Sequence, residues 1–548
     1  MKPPLEKRGH DWAIPFICCI FTCILFAPEI SVASDHYGEC GHSVPAQSTP
    51  ELPAILNESG LVKNLNISTL SGSWKKELRR DKKTKEFGVT SFLSWKNLLE
   101  YLKTLSVYNS VKVIQVRQYP STDAWGRPRT LSGVVIVPLT SDKTASMPML
   151  AFQHPTQVER RYSPSNCVKY SEQDPQYNVT VATLIAAMGY VVVVPDYPGM
   201  GLNFDSHPYV HKSLANGVLD LVKYANDKLN ADPHHYEKWN FGSLYWPVWD
   251  NNIYLMGYSE GGYATLAAAR ALQEAQAPGS PTIKAVAGLD GPYSLSTVMS
   301  EVILAKNPNF TAPYFLPYVV NGYDGVYFSN SPPVPVSEFN WFRNIQPSSP
   351  AHQGNFASEL RRRLDGSFDG AAINAMMREI NPYEGPLSSL TADFLADLGN
   401  PDSNVHKVLA SNDIYNGWTP SMPLMMFHHI LDDLVPYGNA QVALKSFIEG
   451  GAQYTGLMPY AFHLGDASKS GFHPTAAPIA YLLAIEWMNL LSDLDQTPPA
   501  TAKAPAIARQ TGKTVQCGAA LRKYGLLDQA DGAFDLDRLC RSGNAQPL

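Results

Sequence analysis

The chain has no surplus of basic residues: 43 Lys and Arg stand against 49 Asp and Glu in 548 residues, a formal net charge of −6. Nucleic-acid binding draws its affinity from Lys and Arg that displace phosphate counterions, so the balance argues against it. Cysteine is scarce, seven in all, and no Cys or His spacing of the zinc type occurs, which leaves a metal site without support. There is no repeat of fixed period, and so no sign of a solenoid or propeller. After the first 34 residues no apolar run reaches the ~20 residues of a membrane-spanning helix. What is plentiful is core material: 45% hydrophobic and 11% aromatic residues exclude disorder as the dominant state.

Residues 1–34 read as an export signal, with Lys2, Lys7 and Arg8 before an apolar run from Ala13 to Ala27 and small residues Val32, Ala33 and Ser34 at the cleavage position. The run is too short for a stable anchor, so the expected location is secreted or periplasmic. Cys18, Cys19 and Cys23 fall within the signal, leaving Cys40, Cys167, Cys517 and Cys540, an even number suited to an oxidising compartment. Three pairings are open; Cys517 and Cys540 bracket one short helical-looking segment, which would leave Cys40 with Cys167. Asn57, Asn66, Asn178 and Asn309 begin glycosylation sequons.

Beyond a polar extension at 35–110, strand-type runs at Val111 and Gly133 flank a turn-rich Ala124 to Pro128, the pattern of a hairpin. Apolar strands then alternate with amphipathic helices: MLAFQ at Met149, VVVVP at Val191, a helix from His211, IYLMG at Ile253, a helix from Gly262, IKAVAGL at Ile283, PLMMF at Pro423 and a helix from Asn439. This alternation predicts an α/β fold, a mostly parallel sheet with helices on both faces. It breaks off over 295–418, where helical patterns such as AAINAMMREI and a Pro- and aromatic-rich piece from Tyr314 to Phe342 predict an inserted cap. The core is expected over 111–294 and 419–495. A Pro-, Ala- and Thr-rich linker and a small Cys-containing tail occupy 496–548.

The chemistry centres on Gly257-Tyr258-Ser259-Glu260-Gly261, a G-x-S-x-G directly between a strand and a helix. At that junction a strained turn raises a serine above the sheet, and glycines are needed where backbone segments approach closely. A serine hydroxyl is a poor nucleophile unless a histidine takes its proton and a carboxylate orients the histidine. Downstream, Asp432 and Asp433 follow the PLMMF strand, and His473 stands in Gly471-Phe472-His473-Pro474, before a helix expected from about Ala476. Asp290 also follows a strand and is the second candidate acid. His428 and His429 read as strand-end residues, His463 precedes the His473 loop, and Asp196 reads as a loop-stabilising carboxylate. The order Ser, Asp, His is the α/β-hydrolase order.

Together QHPT at Gln153, VVVVPDYPGMG at Val191, HPY at His207, GYSEGGYA at Gly257, GPYSLS at Gly291 and DDLVPYGNA at Asp432 resemble secreted lipases and esterases of the α/β-hydrolase superfamily. The likeness is to the fungal secretory lipase family and its bacterial relatives, over about Val111 to Leu491. It implies Ser259 as nucleophile, His473 as base and Asp432 as acid, since Asp432 alone has Val435 and Pro436 at the D-x-x-V-P offsets. It implies oxyanion-hole donors at the backbone N–H of Glu260 and of Thr156. The family shows His-Gly-Thr where this chain has His154-Pro155-Thr156; proline has no N–H, and Gln157 stands as the alternative donor. The insertion would be a lid.

The expected function is a serine carboxylic ester hydrolase needing no cofactor, acting on an ester with an apolar acyl or aryl part, with contact to a lipid interface allowed. A prolyl-oligopeptidase-type peptidase would use the same triad order, and a catalytically dead binding protein the same fold. The first lacks a propeller repeat, and the second would be favoured by a replaced triad position, of which there is none.

Overall fold

The computed structural model describes residues 110–166, 177–201, 203–231, 244–275, 279–305, 312–328, 370–380, 390–460 and 472–494, with residues 37–39, 98, 99, 102, 105–108, 364 and 366. The signal, the four remaining cysteines and the tail lie outside these residues, as do His463 and most of the N-terminal extension.

One sheet carries the fold. Its strands are β1 (Tyr37–Glu39), β2 (Val111–Thr122), β3 (Pro128–Pro138), β4 (Ser146–Gln153), β5 (Val191–Pro195), β6 (Val248–Tyr258), β7 (Thr282–Leu289), β8 (Leu424–His429) and β9 (Thr455–Tyr460). They lie in the order β1-β2-β3-β5-β4-β6-β7-β8-β9. The pairs from β1 to β5 along this order are antiparallel and all those from β5 to β9 parallel. The hairpin turn expected at Ala124 to Pro128 is built on Asp123, whose carboxylate accepts from the N–H groups of Trp125 (2.9 Å) and Arg127 (3.0 Å).

The unbroken apolar strands are explained by two-sided burial. In β5, Val191 and Val193 face one core while Val192 and Val194 face the other, and in β8 Leu424 and Met426 oppose Met425 and Phe427 in the same way. Period-two alternation sends neighbours to opposite faces, so a strand covered on both has no polar position to spare. Helices Tyr177–Ala187 and Phe472–Leu494 pack on one face, and His211–Ala231, Glu260–Ala275 and Gly438–Glu449 on the other.

Between β7 and β8 the chain leaves the sheet for an inserted helical region, which includes Ser300–Leu304, Phe315–Tyr323, Gly370–Ile380, Ala392–Gly399 and Asn404–Ser411. Helix Phe315–Tyr323 falls in the Pro- and aromatic-rich stretch. Pro317 is tolerated there because it occupies the first turn, where an N–H has no intrahelical acceptor. Asp413, near the far end of the region, accepts hydrogen bonds from the backbone N–H of Leu295 (2.6 Å) and Ser296 (3.0 Å), near its start.

Candidate active site

Strand order reverses at β4, which lies between β5 and β6, so the loops leaving β4 and β6 emerge side by side, with Gln153 paired to Gly257. Such a switch point opens a crevice at the carboxyl ends of the strands. Ser259 sits there, between the end of β6 and the start of helix Glu260–Ala275, in a left-handed conformation with φ 59°. For a residue with a Cβ this costs about 1–2 kcal/mol. The turn is held by Ser259 N–H donating to Leu289 O (2.8 Å) and by Tyr263 N–H donating to Ser259 O (3.1 Å). A Cβ on Gly257 would lie 2.5 Å from Gly261 O and 2.6 Å from Gln153 O, so the backbone crossing itself demands glycine.

His473 Nε2 lies 2.9 Å from Ser259 Oγ, and His473 Nδ1 lies 2.6 Å from Asp432 Oδ2. All three are buried, Ser259 and His473 being 4% exposed and Asp432 8%. Asp432 Oδ1 accepts from the N–H groups of Leu434 (2.9 Å) and Val435 (2.8 Å), fixing the carboxylate plane. His473 is anchored at its backbone, where its N–H donates to Asp433 Oδ1 (3.0 Å) and its carbonyl accepts from the Tyr258 hydroxyl. Sequence reasoning passed over Asp433 and Tyr258 in these roles. It also placed His473 in a loop, whereas the helix starts at Phe472 and His473 is its second residue.

Burial alone would raise the Asp432 carboxyl, but the facing His473, its hydrogen bond, and the Val435 N–H hold it below the usual carboxylate range. For His473 burial pulls downward, and the charge and hydrogen bond of Asp432 more than offset this, so the imidazole lies above its ordinary value. The imidazolium is thereby stabilised beside the serine.

Asp290, the second candidate acid, is fully buried with φ 45°. Its Oδ1 accepts from His429 N–H (2.8 Å) and its Oδ2 from the Tyr460 hydroxyl (2.6 Å), so it ties the ends of β8 and β9 to β7. Burial, together with the charge of Asp432, pushes it up to about 8. Asp290, His428 and Asp432 offer atoms within 4.8 Å of one another, a grouping able to hold a cation that no sequence spacing announced, since it joins two strand ends. Most of the donor atoms are already engaged: the Asp290 oxygens as above, Asp432 with His473, and His428 Nε2 with Val435 O (2.8 Å). A cation there would compete with His473 for Asp432. Asp196 is a loop fastener, its carboxylate accepting from Ser132 Oγ (2.5 Å) and Ser165 N–H (2.8 Å).

On the other side of Ser259 lies the loop after β4. The Thr156 hydroxyl is 2.9 Å from the Tyr209 hydroxyl, and the His154 carbonyl accepts from Tyr197 OH (3.1 Å). Glu260, the residue after the serine, is buried, 3% exposed. Burial pushes its carboxyl up to about 7, with nearby Thr156 and Tyr209 drawing it back. Gln157 Oε1 is buried without a hydrogen-bond partner among the described residues. Farther out, a cavity of about 890 Å³ opens between Val158 and Arg160 of this loop, Phe204 to His207, and Tyr318 of the inserted region. Tyr318, Tyr323 and Leu316 also belong to the core, so the aromatic stretch is packing material and cavity wall at once. Phe339, Trp341 and Phe342 lie outside the described residues.

A buried serine, histidine and aspartate joined in one hydrogen-bonded line, on this sheet and in this chain order, define a serine hydrolase of α/β-hydrolase architecture. The chain is similar to "Lipase 1" of Candida albicans, with 22% identity over 386 residues, 68% of this chain and 70% of that protein. Among solved structures it is similar to the rice cell wall degrading esterase LipA from Xanthomonas oryzae, with 23% identity and a TM-score of 0.52 over 69% of this chain and 89% of that one. A putative hydrolase from Legionella pneumophila matches with 22% identity and a TM-score of 0.56 over 74% and 97%. No family model matches the chain.

Proposed function

We propose that the protein is a serine carboxylic ester hydrolase working through an acyl-enzyme on Ser259. The observation that carries this reading is the unbroken line Ser259 Oγ, His473 imidazole, Asp432 carboxylate. Ser259 Oγ attacks the ester carbonyl while His473 Nε2 accepts its proton, and Asp432 stabilises the imidazolium. The tetrahedral oxyanion is received by the N–H groups of Glu260 and Thr156. His473 returns the proton to the departing alcohol, and water, activated by the same imidazole, releases the acid. These steps call on no cofactor.

An ester with an apolar acyl or aryl part would find Val158, Phe204, Tyr318 and Leu364 in the cavity wall, beside a charged rim that includes Arg127, Arg129, Arg160, Asp205 and Asp324. The proposed organisation keeps 1–34 as a cleaved signal, the core at 111–294 and 419–495, and 295–418 as a cap; the product is secreted or periplasmic. Among the described residues no helix is long and apolar enough to cross a membrane. The test is hydrolysis of p-nitrophenyl esters of increasing acyl length by wild type and Ser259→Ala, beside a peptide p-nitroanilide. Equal turnover by a folded Ser259→Ala protein refutes the mechanism, and cleavage of the anilide in preference to the esters favours a peptidase.

A further inference from the structure

Tyr209, in the loop between β5 and helix His211–Ala231, meets three parts of the site with three different groups. Its hydroxyl lies 2.9 Å from the hydroxyl of Thr156, in the loop after β4 that carries the second proposed oxyanion donor. Its ring stands edge-on to that of Tyr263, centroids 5.7 Å apart, on the helix that leaves the nucleophile turn. Its carbonyl accepts from the hydroxyl of Tyr323 (2.8 Å), the last residue of helix Phe315–Tyr323 in the inserted region.

Tyr209 has φ 57°, and a bulky residue keeps a left-handed conformation only where its surroundings fix it. The surroundings here are close. Gly322, beside Tyr323, lies so near the Tyr209 loop that a Cβ on it would run into Pro208 and stand 3.2 Å from Ser206 O. The Tyr263 hydroxyl in turn donates to Asn412 O (2.6 Å), near the far end of the inserted region. Thr156 is held from two directions. Pro155 O lies 2.8 Å from His154 Nδ1, and since a carbonyl only accepts, that nitrogen carries the proton. The Pro155–Thr156 peptide is trans, so fixing its carbonyl aims the Thr156 N–H the opposite way. The Tyr209 hydroxyl then anchors Thr156 by its side chain.

We propose that Tyr209 is a positioning residue for the oxyanion hole, setting Thr156 through its hydroxyl and tied to the inserted region through its carbonyl, so that the seating of helix Phe315–Tyr323 is felt at the Thr156 N–H. Pro155 makes the need concrete. It removes one N–H from this loop, so the hole depends on the placement of the next residue. Because the link acts on a donor that binds developing charge, breaking it weakens the transition state and leaves substrate binding nearly intact.

The inference rests on the ester-hydrolase reading, and the experiment separates the two. kcat, KM, melting temperature and the inhibition constant of an aliphatic trifluoromethyl ketone, which forms a tetrahedral oxyanion adduct with an active serine, are measured for wild type, Ser259→Ala, Tyr209→Phe, Thr156→Val, Thr156→Ser, Tyr323→Phe and Tyr209→Phe/Thr156→Val. Tyr209→Phe keeps the ring and the carbonyl, and it should lose about tenfold in kcat with KM within about threefold, the ketone weakening in parallel. Thr156→Val should lose kcat in the same sense, Thr156→Ser should turn over at least about threefold faster than Thr156→Val, and the double variant should be no worse than the poorer single. Tyr323→Phe, which releases the Tyr209 carbonyl, should lower kcat at least about threefold, with the ketone following. Folded Tyr209→Phe with kcat and ketone affinity within about twofold of wild type overturns the inference, as do losses that multiply in the double variant. Wild-type kcat in Tyr323→Phe overturns the tie to the inserted region. Should Tyr209→Phe fail to fold, equal kcat in Thr156→Val and Thr156→Ser is the overturning result. An active Ser259→Ala protein would instead overturn the underlying mechanism.

Discussion

Asp290 and Asp432 bring carboxylate oxygens within 4.8 Å of each other at the ends of neighbouring strands, yet it is Asp432 that meets His473, at 2.6 Å. Two like charges at this distance cannot both persist in a buried site, and the structure divides the labour. Asp432 has the imidazole and two backbone N–H donors to hold its charge. Asp290, facing one backbone N–H and a tyrosine hydroxyl, holds its proton.

Exchange of Asp290 for Asn should therefore preserve turnover, whereas Asp432→Asn abolishes most of it. The amide oxygen can accept from His429 N–H, and its NH₂ can donate to the Tyr460 oxygen. The sign of the stability effect follows from the raised acid: between its unfolded value, 3.8, and its folded value, about 8, the unfolded chain releases a proton that the folded chain retains, so the wild type loses stability as pH rises. Asp290→Asn lacks this loss. Its melting temperature relative to wild type should climb between pH 5 and pH 8. A dead Asp290→Asn beside an active Asp432→Asn would transfer the acid role.

Ser259→Ala, His473→Ala and Asp432→Asn should each lower kcat by about 10⁴-fold or more, and the double variants should be hardly worse than the singles, because the three act as one unit. Burst kinetics with a p-nitrophenyl ester and circular dichroism on the same samples check both the chemistry and the fold.

The pH profile of kcat/KM should rise along a limb set by His473 with a midpoint above 6.5, since the base works only when neutral and its pKa is raised. In Asp432→Asn the residual activity should show that limb moved to lower pH, because the charge that favours the imidazolium is gone. A limb that stays in place would remove Asp432 as its cause.

Tyr318→Ala should change preference among esters. The ring lines the cavity beyond the β4 loop and is also core, 5% exposed. Removing it should shift kcat/KM ratios along an acyl-length series by about tenfold, with a stability cost of about 3–5 kcal/mol. Uniform loss along the series would make it a packing residue alone.

What could be read from the sequence was what the chain dictates locally. The serine turn needs glycines at fixed offsets, and the Asp432 loop closes on its own N–H groups two and three residues on, so both leave a written pattern. The last helix begins at Phe472 and not near Ala476: Pro474 stands in its first turn, as Pro317 does in helix Phe315–Tyr323, where the missing N–H has no intrahelical acceptor. The contacts of Asp290 with Tyr460 and of Thr156 with Tyr209 join residues from separate loops and strand ends. No periodicity encodes such meetings.

The fastening of Leu295 and Ser296 to Asp413 gives the inserted region the character of a handle bolted at both feet. The entropy of bringing its ends together grows only with the logarithm of the length between them, about 0.6 kcal/mol per doubling. The span between the bolts is thus free to lengthen, shorten or be exchanged with little strain on β7 and β8, which present Asp290 and Asp432. A protein built this way can be retailored in what it admits while its chemistry stays put.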